Sequence, residues 1–380
     1  MMSSYLEFFY NYVKFPKAQN DPIVGTCNSM CPEDEIKLRE AEHLVHILEV
    51  WDWGKERKLV KSFSRSAADT NMAVPRLLRP YAVLINTVQY LLFEITKRKD
   101  VPEAVVYEFV DDRLRAVRQD MTIQRLPPEE CVNLLEPMIR FYVYYSHKLC
   151  NLPLKYYDPE LNKRSLLECM KWYLSCSDTI DKRQRQDELS GLLSNLDLNE
   201  NTKLTNDRVL VESLYIVCNL NDLHPLYRYI HHSMQLKREP KLQLAYNIAI
   251  ANRQGNYIKV CRLMDKACPL TYYALFTYLP TIQRNALAVL SHAYNSKQFT
   301  IPSEVLARWL HFADEVEAQG VCAHYGLETE NRSVRFDKKD FIGATSLHQL
   351  RLDGDNKSSG SQSNQRNEIS IIDIFKYTTN

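Results

Sequence analysis

The sequence predicts an all-α protein, an α-solenoid of tetratricopeptide-like helix pairs that ends in a winged-helix module. Three observations predict this fold. The 380 residues include only 9 glycines, and 45% of the residues are hydrophobic, a composition typical of helical proteins. Apolar residues recur at spacings of three and four along most of the chain. This periodicity changes only after residue 280, where three short helices and a β-ribbon are predicted.

Charge and cysteine content exclude several classes of protein. Lys and Arg number 48 against 47 Asp and Glu, so no overall field attracts nucleic acid or anionic lipid. Ten scattered cysteines and a first segment without signal-peptide features predict a reducing compartment, the cytosol or nucleus. The longest apolar run, Tyr81–Ile95, is too short to span a bilayer. We therefore expect a soluble protein with no membrane contact.

The first third of the chain predicts an arm and two helices. Residues 1–21 are rich in aromatic residues, and we expect a flexible arm or, as the alternative, a short docking segment. Pro32 and the three acids after it start a helix that is predicted to run to about Trp51. A polar connection, 56–80, leads to a buried helix over Tyr81–Lys97.

The segment Tyr107–Leu126 predicts the central helix, with one apolar and one charged side. The apolar stripe consists of Val106, Val110, Leu114, Val117 and Met121. On the other side, Arg115, Arg118 and Arg125 form an edge that could bind a partner. The alternative is a solvated face of ion pairs.

The middle of the chain predicts a succession of helices. Residues 131–149 form either one helix kinked at Pro137 or two shorter helices. Beyond Pro153 come helix pairs. The first of these helices is predicted to end, or to pass into a loop, at the run Lys182–Gln186. Short connections between these helices are typical of a tetratricopeptide-type solenoid over residues 22–280, although no clean period of about 34 residues is present.

The last hundred residues predict a small module and a tail. Residues 281–344 carry three helices and two short strands, a winged-helix arrangement. Residues 345–380 are predicted to be disordered, because 353–368 holds almost no large apolar residue. Ile371–Phe375 is an apolar segment within that tail which could dock on a folded surface.

Several separate motifs, in order, resemble the SAC/GANP domain family. They are the segment around Gly25–Glu33, Ser64–Asp69, Leu78-Arg79-Pro80, Phe109–Gln124 and Arg140-Phe141. The resemblance covers roughly residues 22–340. The residues that match the family motif are Gly25, Thr26, Cys27, Met30, Cys31, Pro32, Asp112, Arg113, Arg115, Arg118 and Asp120.

The resemblance implies a non-enzymatic scaffold. In this family the domain pairs side by side with a PCI-domain protein, which a small acidic subunit braces, and the pair serves messenger-RNA export. The resemblance implies that Trp309, Leu310 and Phe312 would contact the partner. The chain is closer in size to a small stand-alone relative associated with centrosome duplication and the spindle. We therefore expect a nuclear and cytoplasmic protein, with the centrosome or spindle as a further location.

A basic cluster near residue 335 suggests an RNA contact. Arg332, Arg335, Lys338 and Lys339 stand close together against Asp337, which leaves a local charge of +3. Acids elsewhere in the module make its total charge negative, so the module alone would bind nucleic acid weakly. The resemblance implies that pairing with a second winged helix enlarges the basic surface.

One set of residues has some features of a zinc site. Cys27 and Cys31 are followed by His43 and His46, which would share a helix face. The spacings depart from those of zinc fingers, so buried thiols packing beneath the first helix are the favoured interpretation. No metal or other cofactor is expected.

Nothing in the sequence indicates catalysis. The pairs Asp111-Asp112 and Glu129-Glu130 diverge by about 100° on a helix and cannot act together on one substrate atom. No nucleophile elbow or phosphate-binding loop is present. We expect no enzymatic activity and no small-molecule substrate. Two alternatives stay open, a subunit of another PCI-type assembly (proteasome lid, signalosome or initiation factor) and a zinc-dependent nucleic-acid binder.

Overall fold

The computed structural model describes residues 23–51, 56–64, 74–193 and 207–350, and it is mostly helical, as predicted. The predicted arm 1–21, most of the Ser64–Asp69 motif and residues 351–380 lie outside the described residues. The described chain forms two compact units. Unit 1 contains residues up to Tyr90 and Phe109–Pro127, and unit 2 contains Leu91–Glu108 and the chain from Pro128 on.

Unit 1 combines an extended segment with short elements and parts of two helices. Helix α1 (Glu33–Ala41) is followed by a 3-10 turn, by the two-residue strands β1 (Val50–Trp51) and β2 (Glu56–Arg57), and by α2 (Tyr81–Phe93). β1 and β2 pair antiparallel. Helix α3 (Glu103–Gln124) is the predicted central helix, and its apolar stripe is completely buried.

The prediction that the first helix runs to Trp51 is wrong. Helix α1 ends at Ala41, His43 adopts a left-handed backbone with φ 55°, and the amide of Leu44 donates to the carbonyl of Arg39 at 2.7 Å. The Arg39 side chain turns inward to the buried Glu49 carboxylate. The chain therefore has to reverse, which exposes the apolar Leu44 by 62%.

Unit 2 is a series of helices. They are α4 (Pro128–Lys148), α5 (Pro159–Leu193), α6 (Arg208–Val217), α7 (His224–His231), α8 (Met234–Lys237), α9 (Pro240–Arg253), α10 (Tyr257–Met264) and α11 (Pro269–Phe276). Successive elements pack on one another, α4 on α5, α5 on α6 and α9 on α10. Sequence reasoning missed α11, whose eight residues have no amphipathic period because six of them are buried.

One helix is continuous where the sequence left two alternatives, and another is longer than predicted. Helix α4 continues through Pro137, because the residues before and after the proline are fully buried and their packing outweighs its cost of about 3 kcal/mol. Helix α5 does not end near Lys182–Gln186 but continues to Leu193 over 35 residues. Lys, Arg and Gln are good helix formers, so a solvated charge run extends a helix as readily as it ends one.

The C-terminal part of unit 2 alternates helices and strands. Helix α12 (Leu279–Ala293) is followed by β3 (Thr300–Pro302), α13 (Ser303–Leu310), α14 (Glu315–His324), β4 (Glu328–Glu330) and β5 (Ser333–Arg335). The antiparallel sheet has the order β3-β5-β4. The sequence pattern did not reveal β3, whose three residues all pair with β5 but of which only Ile301 is buried.

Candidate functional site

The family-motif residues at the start of unit 1 hold an extended segment in place. The amide of Gly25 donates to Oε1 of Gln124 at 2.8 Å. A Cβ at Gly25 would lie 2.4 Å from the carbonyl oxygen of Leu78, so only glycine fits this close approach. The next two amides, of Thr26 and Cys27, donate to the carbonyls of Pro75 and Leu78 at 2.8 and 3.0 Å.

Asp120 is the centre of a buried ionic cluster. Its carboxylate accepts from Nζ of Lys61 at 2.6 Å and from Nε of Arg79 at 2.7 Å. All three residues are at most 2% exposed. Lys61 also donates to the carbonyl of Leu77, and Arg79 donates to the carbonyl of Met30. The cluster therefore joins four separate stretches of unit 1 by charge-assisted hydrogen bonds.

Glu49 is the centre of a second buried cluster. Its carboxylate pairs with Arg39, accepts from the amide of Val60 at 3.0 Å and lies 3.4 Å from Nη2 of Arg113. Burial raises the pKa of Glu49, but the hydrogen bonds from Arg39 and Val60 and the charge of Arg113 outweigh it and hold the pKa below its usual value. The carboxylate is consequently charged at neutral pH.

Asp112 and Arg113 of α3 also make polar contacts within unit 1. Asp112 accepts from the amide of Phe63 at 3.1 Å and pairs with Arg113, whose guanidinium lies 4.4 Å from the ring centroid of Phe109. The charged groups of Asp112, Arg113 and Asp120 thus all have partners within unit 1, and these contacts fix its loops.

The predicted arginine edge of α3 is not one uniform exposed surface. The Arg115 guanidinium stacks over the Phe63 ring at 4.2 Å and is half-buried. Arg118 is also half-buried, whereas Arg125 is exposed at the end of the helix with φ 52°. The role of these three residues in partner binding stays a prediction.

The structure does not assemble the zinc candidate. The expectation that His43 and His46 share a helix face is wrong, because α1 ends before both. His46 instead caps the 3-10 turn Ile47–Glu49 and stacks on Phe109, while the thiol of Cys27 donates to the carbonyl of Ser29. Burial raises the pKa of Cys31 to about 12. Within the described residues no group of three or more His, Cys, Asp or Glu side chains could hold a metal ion.

The predicted partner contact on α13 divides into core and surface. Leu310 and Phe312 are 0% and 7% exposed and belong to the core of the C-terminal part. Their role as contact residues stays a prediction that their burial does not support. The left-handed His311 (φ 60°), which ends α13, turns Phe312 inward. Trp309 lies half-buried against this core and retains exposed surface.

The basic residues near β5 also differ from one another. Asn331 and Arg332, with φ 47° and 58°, form the tight turn of the β4–β5 hairpin, and the side chain of Arg332 is 85% exposed. Arg335 pairs with Glu328, the residue opposite it on β4. Lys338 and Lys339 are exposed. The local positive charge is therefore concentrated at Arg332, Lys338 and Lys339.

Residues 346–350 form a strap that sequence reasoning assigned to the disordered tail. His348 is 9% exposed, and its Nδ1 lies 3.1 Å from the Tyr325 hydroxyl, while its Nε2 lies 2.8 Å from Oε1 of Gln283. Burial, together with the nearby His324, lowers the pKa of His348 to about 4. No local pattern predicts such a strap, because its partners are far away in sequence.

A further ionic cluster of unit 2 lies between α5, α6 and α7. Arg228 binds the carboxylates of Asp178 and Glu212, and Arg208 binds Asp178 and Asp181. Burial raises the pKa of Glu212, but hydrogen bonds from His232 and Arg228 outweigh burial and lower it to about 2. The cluster borders a cavity of about 320 Å³. Each of its arginines already has carboxylate partners, which indicates a structural role.

None of the helices in the described ranges has the length and apolar character needed to cross a membrane.

Comparison with known proteins identifies the family. The chain is 26% identical to Protein xmas of Drosophila melanogaster over 320 residues, which is 80% of this chain and 14% of that protein. It is 26% identical to SAC3 family protein B of Arabidopsis thaliana over 318 residues (80% and 18%), and 26% identical to SAC3 family protein 1 of Schizosaccharomyces pombe over 354 residues (84% and 32%). The chain thus spans less than a third of each relative. A model of the SAC3/GANP family matches residues 30–331, most of the chain, and the protein belongs to that family.

Proposed function

We propose that the chain is a non-enzymatic scaffold whose unit 2 is a tetratricopeptide-like solenoid with a terminal winged helix. The observation that carries the proposal is the element order after residue 278, helix, strand, helix, helix, strand, strand, with the sheet order β3-β5-β4. This is the order of a winged helix. The predicted bounds, 22–280 for the solenoid and 281–344 for the winged helix, belong to the same proposal.

The partner is a PCI-domain protein of similar architecture, which a small acidic subunit accompanies. Support comes from the apolar side chains that the terminal module leaves accessible. Trp309 and Val305 lie one turn apart on α13 and are each only half-buried. Tyr294 and Phe299, stacked at 5.4 Å, are 37% and 47% exposed. Large aromatic side chains of this kind are the usual anchors of protein interfaces.

The test is co-purification of the full chain with a PCI-domain protein of its own source. Trp309→Asp should reduce the recovered partner at least tenfold, which corresponds to about 1.4 kcal/mol or more of binding free energy. Val316→Asp is the matched control, because Val316 is an apolar residue of the same module that is 66% exposed. Both variants have to stay folded at the temperature of the purification, which circular dichroism checks, because Trp309 is half-buried against the core. Undiminished recovery with Trp309→Asp in a folded protein would contradict the assignment.

The cellular role follows from the partner. Pairing with a PCI-domain protein and its acidic companion would assign the chain to messenger-RNA export from the nucleus. Pairing with centrosomal or spindle proteins assigns it to mitosis. Affinity purification of the tagged chain from dividing cells, followed by mass spectrometry, separates the two roles.

RNA binding through paired winged helices is a second candidate, favoured by the exposed turn of the β4–β5 hairpin. Arg332 occupies that turn and lies 3.9 Å from Glu315, a distance too long for a strong ion pair. Together with Lys338 and Lys339 it forms an accessible cationic group that could neutralise phosphates. Binding to single-stranded RNA should therefore require the partner and weaken as salt is added.

The two alternative interpretations have direct tests. Another PCI-type assembly would be identified by the same purification, through lid, signalosome or initiation-factor subunits. A zinc-dependent nucleic-acid binder would contain stoichiometric zinc, which elemental analysis of the purified protein measures.

A further inference from the structure

The described chain leaves unit 2 at a defined place. The strap ends at Leu350, which is 9% exposed, and the carbonyl of Leu350 accepts from Nδ2 of Asn151 at 2.8 Å. Asn151 lies in the connection between α4 and α5. Whatever follows Leu350 therefore starts beside that connection.

An exposed apolar surface lies in the same connection and in the first turn of α5. Four large side chains within ten residues are exposed, Leu152 by 40%, Leu154 by 75%, Tyr156 by 57% and Leu161 by 56%. The backbone between them is ordered, since the amides of Tyr156 and Tyr157 both donate to the carbonyl of Pro153, at 2.8 and 3.2 Å. Single exposed apolar residues are ordinary, but a cluster of this kind usually has something to bind. We call these four side chains the 152–161 surface.

The remaining chain contains one segment that matches this surface. Ile369, Ile371, Ile372, Ile374, Phe375 and Tyr377 lie within nine residues, whereas residues 353–368 contain no large apolar side chain. About 18 residues, 351–368, separate the segment from Leu350. A chain of that length can span up to ~60 Å, so the segment can reach the 152–161 surface. Tethering also gives it an effective concentration on the order of millimolar.

Charge supports the same pairing. Lys155 is exposed within the 152–161 surface, and its ammonium group lies 5.4 Å from the ring centroid of Tyr156. Asp373 stands in the middle of the apolar segment, where it could pair with this cation. Asp158 is an acid of the same connection, but its Oδ1 already accepts hydrogen bonds from the amides of Glu160 and Leu161.

We propose that residues 369–377 pack on the 152–161 surface of the same molecule. The surface is then covered by the chain's own C-terminal segment, and an external partner that uses it has to displace that segment. The proposal concerns a part of unit 2 other than the terminal module, so it stands apart from the partner contact at Trp309.

Hydrogen exchange of the full chain, followed by mass spectrometry, tests the contact. The double variant Leu154→Ser/Leu161→Ser should speed the exchange of amides 369–377 at least tenfold. The substituted side chains are exposed, so folding should be retained. Conversely, Ile372→Ser/Phe375→Ser should increase hydroxyl-radical oxidation of Leu154 and Tyr156 at least twofold.

The matched control is Tyr227→Ser/Ile230→Ser. These residues form another exposed apolar pair of unit 2, 63% and 56% accessible, and their replacement should leave residues 369–377 protected. If residues 369–377 of the unaltered chain exchange as fast as an unstructured peptide, the proposal is wrong. It is equally overturned if only the Tyr227/Ile230 variant releases the segment, or if protection rises with protein concentration, which would identify a second copy as the occupant.

Discussion

Two charged regions of this protein use the same residue types in opposite ways. In unit 1, Lys61, Arg79 and Asp120 are buried and joined by short hydrogen bonds. At the β4–β5 hairpin of unit 2, Arg332 is almost fully accessible to solvent. Removing one charge from the first region leaves others buried without compensation, whereas removing a charge from the second alters only the field at the surface. A basic residue in a motif is therefore no evidence of a binding surface until its burial is known.

The largest effect that the comparison predicts is for Asp120→Asn. The variant leaves Lys61 and Arg79 buried without their counter-ion, so we expect a loss of about 3–5 kcal/mol in the free energy of unfolding. Urea unfolding followed by circular dichroism measures it. Asp100→Asn removes an exposed partner of Arg98 and serves as the control, with a much smaller change expected because solvent screens this pair. If the two variants unfolded at the same urea concentration, the contrast between the buried and the exposed charges would be wrong.

Gly25→Ala should have the second largest effect. The added Cβ would lie 2.4 Å from a backbone oxygen and 2.7 Å from Oε1 of Gln124, so the extended segment has to move. We expect a loss of about 1–3 kcal/mol, as for overpacking in a core. Gly320→Ala on α14 is the matched control, because no atom lies within 4 Å of its added Cβ. The control should be neutral or stabilising by up to about 1 kcal/mol.

Acid should weaken the contacts of His348 and the cluster around Glu49 over different pH ranges. The folded pKa of His348 is about 4 against an unperturbed 6.5, so the unfolded state binds more protons between these values. The stability that depends on the neutral His348 is thus lost as pH falls from about 6.5 to 4. Glu49 has a lowered pKa, and the stability that it contributes is lost only below its ordinary value of 4.5.

Thermal midpoints measured from pH 7 to 4 check this sequence of events. His348→Gln should flatten the decline above pH 4.5, while His292→Gln, at an exposed position, should not. An unchanged profile with His348→Gln would mean that other groups dominate this range.

The smallest effect on folding is predicted at the hairpin. Arg332→Glu should leave the thermal midpoint unchanged. It should weaken binding of the paired complex to single-stranded RNA and reduce the slope of log K against log salt by about 1. Arg335→Glu should change RNA binding less, because Glu328 already neutralises Arg335. If Arg335 proved the more important residue, that pairing would not persist in the complex.

Local features of the sequence predicted much of the helical fold. The stripe Val110, Leu114, Val117 and Met121 is buried as predicted, because a period of 3.6 is visible within one helix. The helix start at Pro32 was also found, with Glu33, Asp34 and Glu35 in the first turn of α1.

The candidate site was predicted less well. The motif around Gly25 was found through its resemblance to a family, but the clusters centred on Asp120 and Glu49 were not. Charges at i and i+4 on a helix suggest solvated pairs, and nothing in the local pattern shows that Asp120 faces two cations from distant segments. The burial of Phe312 was missed for the same reason, because a left-handed His311 turns Phe312 into the core.

The sequence by itself determined the helical class, the family and the order of the main helices, because propensity, periodicity and capping act within a few residues of each other. Only the tertiary structure decided where α1 ends, which charges are buried, that β3 completes a sheet and that His348 belongs to the core. Each of these depends on contacts between residues far apart in the chain. Such contacts leave no periodic signal, since their energy comes from desolvation and pairing across segments.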